Sequence, residues 1–239
     1  MNSDVNKQIK QIPYISLDDL SESELVKRYI YPNLDINYYW SDDFSPRFYI
    51  ALARAGFICV SHDIDNTLFL LPEMQTEYAV LDFSDLHISK KVRKLLNQER
   101  YKLSFNTCFS HVINSIKDAY HPCWITKEYE GLMHELSDNT YENFRLFSTE
   151  LFDKENGELI AGEVGYITDN IYTSLSGFHI HNKRYDNWGT LQLVLLGKYL
   201  EAQKVRFWNL GHAQMEYKKV LGAKVLSREA FLRKTCLLT

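Results

Sequence analysis

The sequence predicts a mixed α/β protein of the α+β kind, in which helices flank a largely antiparallel sheet. Three stretches predict it. Ser45-Pro46 followed by RFYIALARAG starts and stops a helix within one line of sequence. FRLFSTELFD, ELIAGEVGYI and IYTSLSGF read as consecutive strands of a meander, the first two joined through Asn156-Gly157. Residues 188–202 are apolar on most sides of a helix, the pattern of a helix buried against a sheet.

The 239 residues allow one large domain, or a large one with a small partner. Hydrophobic content of 45% with 16 Tyr and 13 Phe fills a sizeable core and leaves aromatics to line a pocket. The net charge of −4 excludes a global basic field, so any nucleic acid must meet a local patch. The four cysteines, Cys59, Cys108, Cys123 and Cys236, form no CxxC and no Cys/His pair of metal-ligand spacing. They read as reduced thiols of a cytosolic protein. The polar start MNSDVNKQIKQIPYIS has no apolar core of signal-peptide length, and no apolar run approaches the ~18 residues of a membrane span.

In chain order, residues 1 to about 15 read as a loose arm, and Ser21 as the cap of a short helix through Tyr29. Ser45 caps the next helix, with Pro46 at its first position and Gly56 at its stop. FICVSH and TLFLL read as strands around a turn at residues 62–66, and EYAVLDF as a third strand. Ser89 starts the helix KKVRKLLNQ, and YKLSFN alternates as a strand. Cys108, Val112, Ile113, Ile116 and Ala119 fall at helical spacing, and Thr126 caps KEYEGLMHEL. After the meander and the buried helix comes the strand KVRFWN. From Trp208 to Leu232 the chain reads as a strand end, a polar turn, a short helix, a Leu-Gly-Ala stop, a return strand and a last capped turn. This order has the outline of an N-acetyltransferase-like fold. A boundary after residue 66 divides it into a small N-terminal lobe, 1–66, and a catalytic domain, 67–239.

Several segments resemble one enzyme family, the leucyl/phenylalanyl-tRNA–protein transferases. Ile30-Tyr31-Pro32 is similar to its Ile-Phe-Pro, and YYWSDDFSPR to its Trp-Trp-Ser-Pro-Asp-Pro-Arg. DLHISKKVRK resembles Leu-His-Ile-Ser-Arg-Ser-Leu-Arg-Lys, YKLSFNTCFSHVI its Tyr-Arg-Val-Thr strand and following helix, and CWIT its Thr-Trp-Ile-Thr. STELF and GELIAGEVGYI resemble Ser-Val-Glu-Val-Trp and Leu-Val-Gly-Gly-Leu-Tyr-Gly-Val. VLGAKVLSREAFL resembles Ser-Leu-Gly-Ala and the Arg-Arg-x-Phe-Leu ending. Their collinear order from Tyr31 to Leu232 carries the resemblance. It implies an N-terminal lobe on an N-acetyltransferase-like domain. It also implies transfer of a Leu- or Phe-like amino acid from charged tRNA to the N-terminal residue of a protein, marking that protein for degradation under the N-end rule. The implied partners are aminoacyl-tRNA and an acceptor N-terminus in the cytoplasm, with no cofactor, metal or membrane.

Site residues follow from the chemistry and the resemblance together. Lys90, Lys91, Arg93 and Lys94 crowd one and a half helical turns, as a solvated face or as a seat for the phosphate backbone of tRNA. Trp40 and Trp124 lie in the two matched Trp motifs; an indole there packs in the core or stacks on an unpaired base, at roughly 1–3 kcal/mol per base. Ser174-Leu175-Ser176-Gly177-Phe178 resembles the family's Gly-Glu-Ser-Met-Phe, which implies that Ser176, Gly177 and Phe178 line the aminoacyl pocket. Leu175 replaces the family's Glu, and Gly177 in place of Met enlarges the pocket. Glu150 and Glu163 on neighbouring strands are the candidate replacement carboxylates, with a surface or ion-paired role as the alternative for Glu163. At the family's Asp-Cys-Gln the chain has Asn209-Leu210-Gly211-His212. Asn209 cannot accept a proton, whereas His212 has the chemistry of a general base or serves the structure of the turn.

Two rival functions remain open. An acyl-CoA-dependent acetyltransferase needs a Gly-rich turn before the buried helix, where HNKRYDNWGTLQL has the single Gly189. A non-catalytic homologue that binds tRNA or an N-terminal residue is consistent with Asn209 and Leu175. A metal hydrolase has little to rest on, since His179 and His181 have no third ligand in sequence.

Overall fold

A computed structural model describes residues 12–64 and 67–238. Most of the expected N-terminal arm and the last two residues of the expected turn at 62–66 lie outside the described residues, and residues 62–64 of that turn are strand instead, continuing Ile58–Ile64. The elements, in chain order, begin with α1 (Leu17–Ser21) and α2 (Ser23–Leu25), the latter running into a π-helical turn at Val26–Ile30. Then come α3 (Pro46–Arg54), β1 (Ile58–Ile64), β2 (Thr67–Glu73), β3 (Glu77–Leu81), α4 (Lys90–Gln98) and β4 (Tyr101–Phe105). The chain continues with α5 (Phe109–Ala119), α6 (Lys127–Asp138), β5 (Phe144–Asp153), β6 (Leu159–Thr168) and β7 (Ile171–His179). It closes with α7 (Trp188–Ala202), β8 (Trp208–His212), α8 (Glu216–Leu221), β9 (Lys224–Ser227) and α9 (Arg228–Thr235).

By contact these elements form two compact units: residues 1–78, 122–139 and 226–239 in one, and 79–121 and 140–225 in the other. The chain therefore enters the second unit within β3 and returns for good within β9, while the α6 segment comes back to the first unit between the two. A single cut after residue 66 does not represent this path, because α6 and α9 are far from α3 in sequence.

In the first unit the capping chemistry decides where helices start. Ser16, not Ser21, opens the first one: its hydroxyl accepts from the Asp19 amide and Asp19 accepts from the Ser16 amide, a reciprocal capping box. Ser21 spends its hydroxyl on the Leu17 carbonyl instead. Ser45 caps α3 as expected, accepting from the Phe48 amide, and α3 buries Phe48 and Leu52 completely. β1 and β2 form an antiparallel hairpin from Ile58↔Glu73 to Ile64↔Thr67. The 38–41 segment runs beside β2 through Tyr39 N–H to Pro72 O and Ser41 N–H to Leu70 O. Residues 13–15, expected within the loose arm, are instead fastened to that segment by Ile15 N–H to Trp40 O and Trp40 N–H to Pro13 O, each 3.0 Å. Ile15 is buried, and that burial is what holds the arm's end down.

Arg228 is the buried cation of this unit. Its guanidinium donates to the carbonyls of Asn33, Met74 and Gln75 and to Asn37 Oδ1, so it joins three stretches of chain that the sequence keeps apart. Tyr78 and Phe231 stack beside it with ring centroids 3.9 Å apart.

The second unit is built on a sheet in the order β4-β5-β6-β7-β8-β3-β9. β4 to β7 are antiparallel neighbours, whereas β7 and β8 are parallel and pair at two positions, Tyr172↔Trp208 and Thr173↔Asn209. The mixed layer with a largely antiparallel sheet is the one the sequence predicts. α7 packs on the face that carries Phe147, Leu151, Ala161 and Tyr172, where Leu191, Val194 and Leu200 complete a core that also takes in Trp208 and Leu210. Each such side chain, fully buried, contributes roughly 1.5–3 kcal/mol. α5 covers the opposite face, where its Val112 approaches Gly162. Regular pairing in β8 starts at Trp208 rather than at Lys204. Lys204 is left-handed at φ 60°, and the Val205 amide closes on the Leu200 carbonyl, so these residues end α7 before a strand can begin. Gly222, at φ 109°, stops α8 in the expected Leu-Gly-Ala.

Candidate active site at the ends of β6, β7 and β8

The expected tRNA-binding residues lie on α4, capped by Ser89 through the Val92 amide. Val92 is completely buried, which turns Lys90, Lys91, Arg93 and Lys94 to solvent as one cationic surface. Trp40 and Trp124 are both half-buried and belong to the first unit. They sit at opposite edges of the β1–β2 hairpin. The Trp40 ring lies edge-on to Tyr14 and Phe69, at 4.7 and 5.6 Å between centroids. The Trp124 carbonyl accepts from the Ser61 hydroxyl at 2.7 Å, and its ring tilts against Tyr129.

Ser176, Gly177 and Phe178 belong to the second unit, along β7. Leu175 is the extra residue of a β-bulge: Ser174 pairs with Gly165 and Ser176 with Val164, so Leu175 has no partner across the ladder. The bulge re-aims the strand where the family's carboxylate would stand. Phe178 pairs with Gly162 on the α5 face, and Glu150 pairs with the other side of the same glycine. Glu150 is fully buried and accepts from the Ser104 and Ser148 hydroxyls and the Thr107 amide. These donors clasp the end of β4 and the approach to α5 onto β5. Gly177 does not open extra room: a Cβ there would come within 2.9 Å of the Glu163 Cβ and the Gly162 carbonyl, so β6 already fills that space.

Glu163 is the carboxylate that sequence reasoning undervalued. It is 3% exposed, so the surface role considered for it does not hold. Its Oε1 accepts from the Tyr172 hydroxyl at 2.8 Å and the Ser174 hydroxyl at 2.9 Å, and Ser174 accepts in turn from Trp208 Nε1 at 2.8 Å. Gly165 makes this possible, since a Cβ at that position would overlap the Tyr172 hydroxyl. On the α7 side, the buried Gln192 amide nitrogen lies beside Glu163 without a hydrogen bond of good geometry. Burial pushes the Glu163 carboxyl up to about 7; the hydroxyls of Tyr172 and Ser174, Gln192 and the Lys218 charge act against that rise. In the resembled motif Leu stands at this place, and Glu stands at position 175. A buried carboxylate thus stands one strand away from Leu175.

At the end of β8 the polar groups are arranged differently from the expectation. Asn209 is buried, with Nδ2 reaching Thr173 Oγ1 at 3.5 Å across the last paired position of β7 and β8 and Oδ1 accepting from the Gly211 amide at 3.0 Å, two residues beyond it. His212 is exposed and is the last residue of β8 rather than part of a turn. Its carbonyl accepts at 2.7 Å from Lys218 Nζ, and Lys218 is 3% exposed. Burial pulls this lysine down to about 8, while the Glu163 charge works the other way. Lys218 was missed from sequence because it reads as one of two lysines on a short helix; its i,i+3 spacing to the buried Leu221 is the signal that places it inside. For Glu163 the signal is a charge inside the otherwise apolar run of β6.

The His179 and His181 rings lie tilted against each other with centroids 4.4 Å apart at the end of β7, and no group of three potential metal ligands forms among the described residues. No helix among these residues is long and apolar enough to cross a membrane.

Comparison with known proteins bears on the same segments. The profile of the family "Leucyl/phenylalanyl-tRNA protein transferase" matches residues 80–236. A leucyl/phenylalanyl-tRNA–protein transferase of Pseudomonas putida (strain W619) is 31% identical over 194 residues, covering 79% of this chain and 79% of its own length. That of Colwellia psychrerythraea is 24% identical over 196 residues, covering 80% and 77%. Solved structures with a similar outline include a GCN5-related glucosamine N-acetyltransferase region of a fungal multi-domain β-N-acetylglucosaminidase, at 12% identity and TM-score 0.46 over 73% of this chain and 21% of that one. FemX is another, at 10% identity and TM-score 0.48 over 64% and 60%. The match over β6 to α9, the segments that build the Glu163 cluster and the β8 end, places the chain in the leucyl/phenylalanyl-tRNA–protein transferase family.

Proposed function

We propose that the protein transfers an amino acid of the leucine or phenylalanine class from charged tRNA to the N-terminal residue of an acceptor protein in the cytoplasm. The observation that carries this reading is the family match across β6, β7 and β8, where β6 holds the buried carboxylate at its middle and β8 ends on the exposed histidine. α4 receives the tRNA backbone through Lys90, Lys91, Arg93 and Lys94. Trp40 and Trp124 offer faces to unpaired bases, and Ser176 and Phe178 offer the aminoacyl group a polar and an apolar contact.

The chemistry asked of the protein is small. An aminoacyl-tRNA ester is already activated, and holding an amine against its carbonyl supplies several kcal/mol without further help. The acceptor's α-amine attacks the ester carbon, a C–N bond forms, and the bond from that carbon to the tRNA ribose oxygen breaks. The amine's proton goes to the His212 imidazole and from there to the departing oxygen. Asn209 holds the last paired position of β7 and β8 instead of moving a proton. The test is incubation with tRNA carrying each labelled amino acid and peptides varied at residue 1, with acetyl-CoA in a parallel reaction. Label on a peptide from tRNA supports the reading. Acetylation alone favours the acyl-CoA rival, and tRNA binding without transfer favours the non-catalytic one.

A further inference from the structure

We propose that Lys218 is a positioning residue for the transfer: its buried side chain grips the His212 carbonyl and so fixes the end of β8 and the imidazole borne there. The inference rests on the transferase reading and adds to it a residue pair that the family resemblance does not supply.

The geometry makes the case. Lys218 is buried although nothing in the apolar packing of α8 demands a lysine there, and its Nζ makes a 2.7 Å hydrogen bond to the strand's last carbonyl. The pairing of β7 with β8 ends at Thr173↔Asn209, so beyond Asn209 the strand has β3 as its neighbour on one side and no ladder pair with β7 on the other. A charge-assisted hydrogen bond from a buried ammonium is a strong substitute for a missing strand. Glu163 in turn has its carboxylate built in by Tyr172 and Ser174, with room made by Gly165. The Glu163 charge favours the charged form of Lys218 against the effect of burial.

Every charged or titratable group facing the pair bears on its pH dependence. β6 supplies Glu163 and β7 supplies Tyr172, whose hydroxyl stays protonated well above the ordinary range because of burial and Glu163. Arg145 on β5 faces Tyr172. α8 supplies Tyr217, whose ring lies 5.9 Å from Lys218 Nζ and which Tyr120 approaches from the end of α5. β8 supplies His212 itself. Glu163 changes charge at about 7 and Lys218 at about 8, so the grip is charged below pH 8 and weakens above it.

The experiment is the pH dependence of steady-state transfer from leucyl-tRNA to a mixture of peptides varied at residue 1, run with the wild type, K218R, K218M, E163Q, H212A and the H212A/K218M pair. The wild-type rate falls above pH about 8. K218R, which keeps its charge, retains most of the neutral-pH rate and lacks that fall. E163Q moves the fall to lower pH. K218M lowers kcat by about tenfold with KM for the tRNA nearly unchanged, and adds little further loss in the H212A background. A wild type and K218R with the same alkaline fall, or K218M within about twofold of wild type, overturns the proposal. If K218M does not fold, the wild-type and K218R profiles decide alone. If the wild type transfers nothing at any pH, the transferase reading fails and takes the role in transfer with it. The grip is then judged by NMR: an Ala213 amide that shifts as Lys218 titrates in the wild type, and not in K218R, supports it, and an amide indifferent to that titration overturns it.

Discussion

At the scale of single residues, the chain departs from the motif it resembles at two places. Leu175 stands where that motif has Glu, with the buried Glu163 on the neighbouring strand, and Asn209 stands where it has Asp, with His212 as a candidate proton acceptor three residues on. The sequence made the absences legible, because a motif shows what is missing from it. It did not make the replacement legible, since whether Glu163 faces solvent or Tyr172 depends on a glycine two residues away and on a bulge at Leu175. Arg228 was legible as part of an ending but not as a centre of the first unit, because its acceptors lie at Asn33, Asn37, Met74 and Gln75. Removing the guanidinium takes this donor from the buried Met74 and Gln75 carbonyls and from the half-buried Asn33 and Asn37. Arg228→Ala is therefore expected to cost about 3 kcal/mol or more in urea unfolding, with Arg228→Lys recovering a minor part because one ammonium cannot reach all of them. An Arg228→Ala protein as stable as the wild type would show that the network contributes nothing net.

At the scale of elements, local chemistry carried far. Ser45, Ser89 and Thr126 each cap the helix expected of them, and the bounds of α4 and α7 are those read from their patterns. The failures have physical causes. Ser16 displaced Ser21 as a cap because Asp19 completes its box, and β8 started late because Lys204 turns left-handed. α4 is where the functional reading is most exposed to test. Reversing Lys90, Lys91, Arg93 and Lys94 to Glu places like charge against phosphate, so tRNA affinity is expected to fall by at least tenfold and its salt dependence to flatten. Since all four side chains are solvent-exposed, melting should change little. Unchanged affinity in a filter-binding assay would remove α4 from the tRNA surface.

At the scale of the whole molecule, the Glu163–Lys218 pair is a place where stability is spent. Glu163, raised to about 7 from an ordinary 4.5, holds its proton more tightly folded than unfolded, so the native state loses stability as pH rises through that window. Lys218, lowered to about 8 from 10.5, binds its proton less tightly folded, so its cost is present below pH 8 and is relieved as pH rises towards 10.5. Both costs coincide near pH 7.5. Replacing both by uncharged groups of similar size, Glu163→Gln with Lys218→Met, is therefore expected to raise the melting temperature at that pH while transfer is lost. A double variant that melts lower than the wild type there would mean that the pair is a net stabiliser.

The fold class was legible across the whole chain because hydrophobic periodicity and turn chemistry are local. The discontinuous make-up of the two units was not, because it depends on which distant segments meet. The central claim is the transfer itself, and the mass of the acceptor peptide tests it most directly. After incubation of the wild-type protein with leucyl-tRNA or phenylalanyl-tRNA, an acceptor peptide is expected to gain the mass of that one amino acid residue, located by fragmentation at its N-terminus. A peptide whose mass stays unchanged with either tRNA, whatever its first residue, while the protein still binds tRNA, contradicts the account.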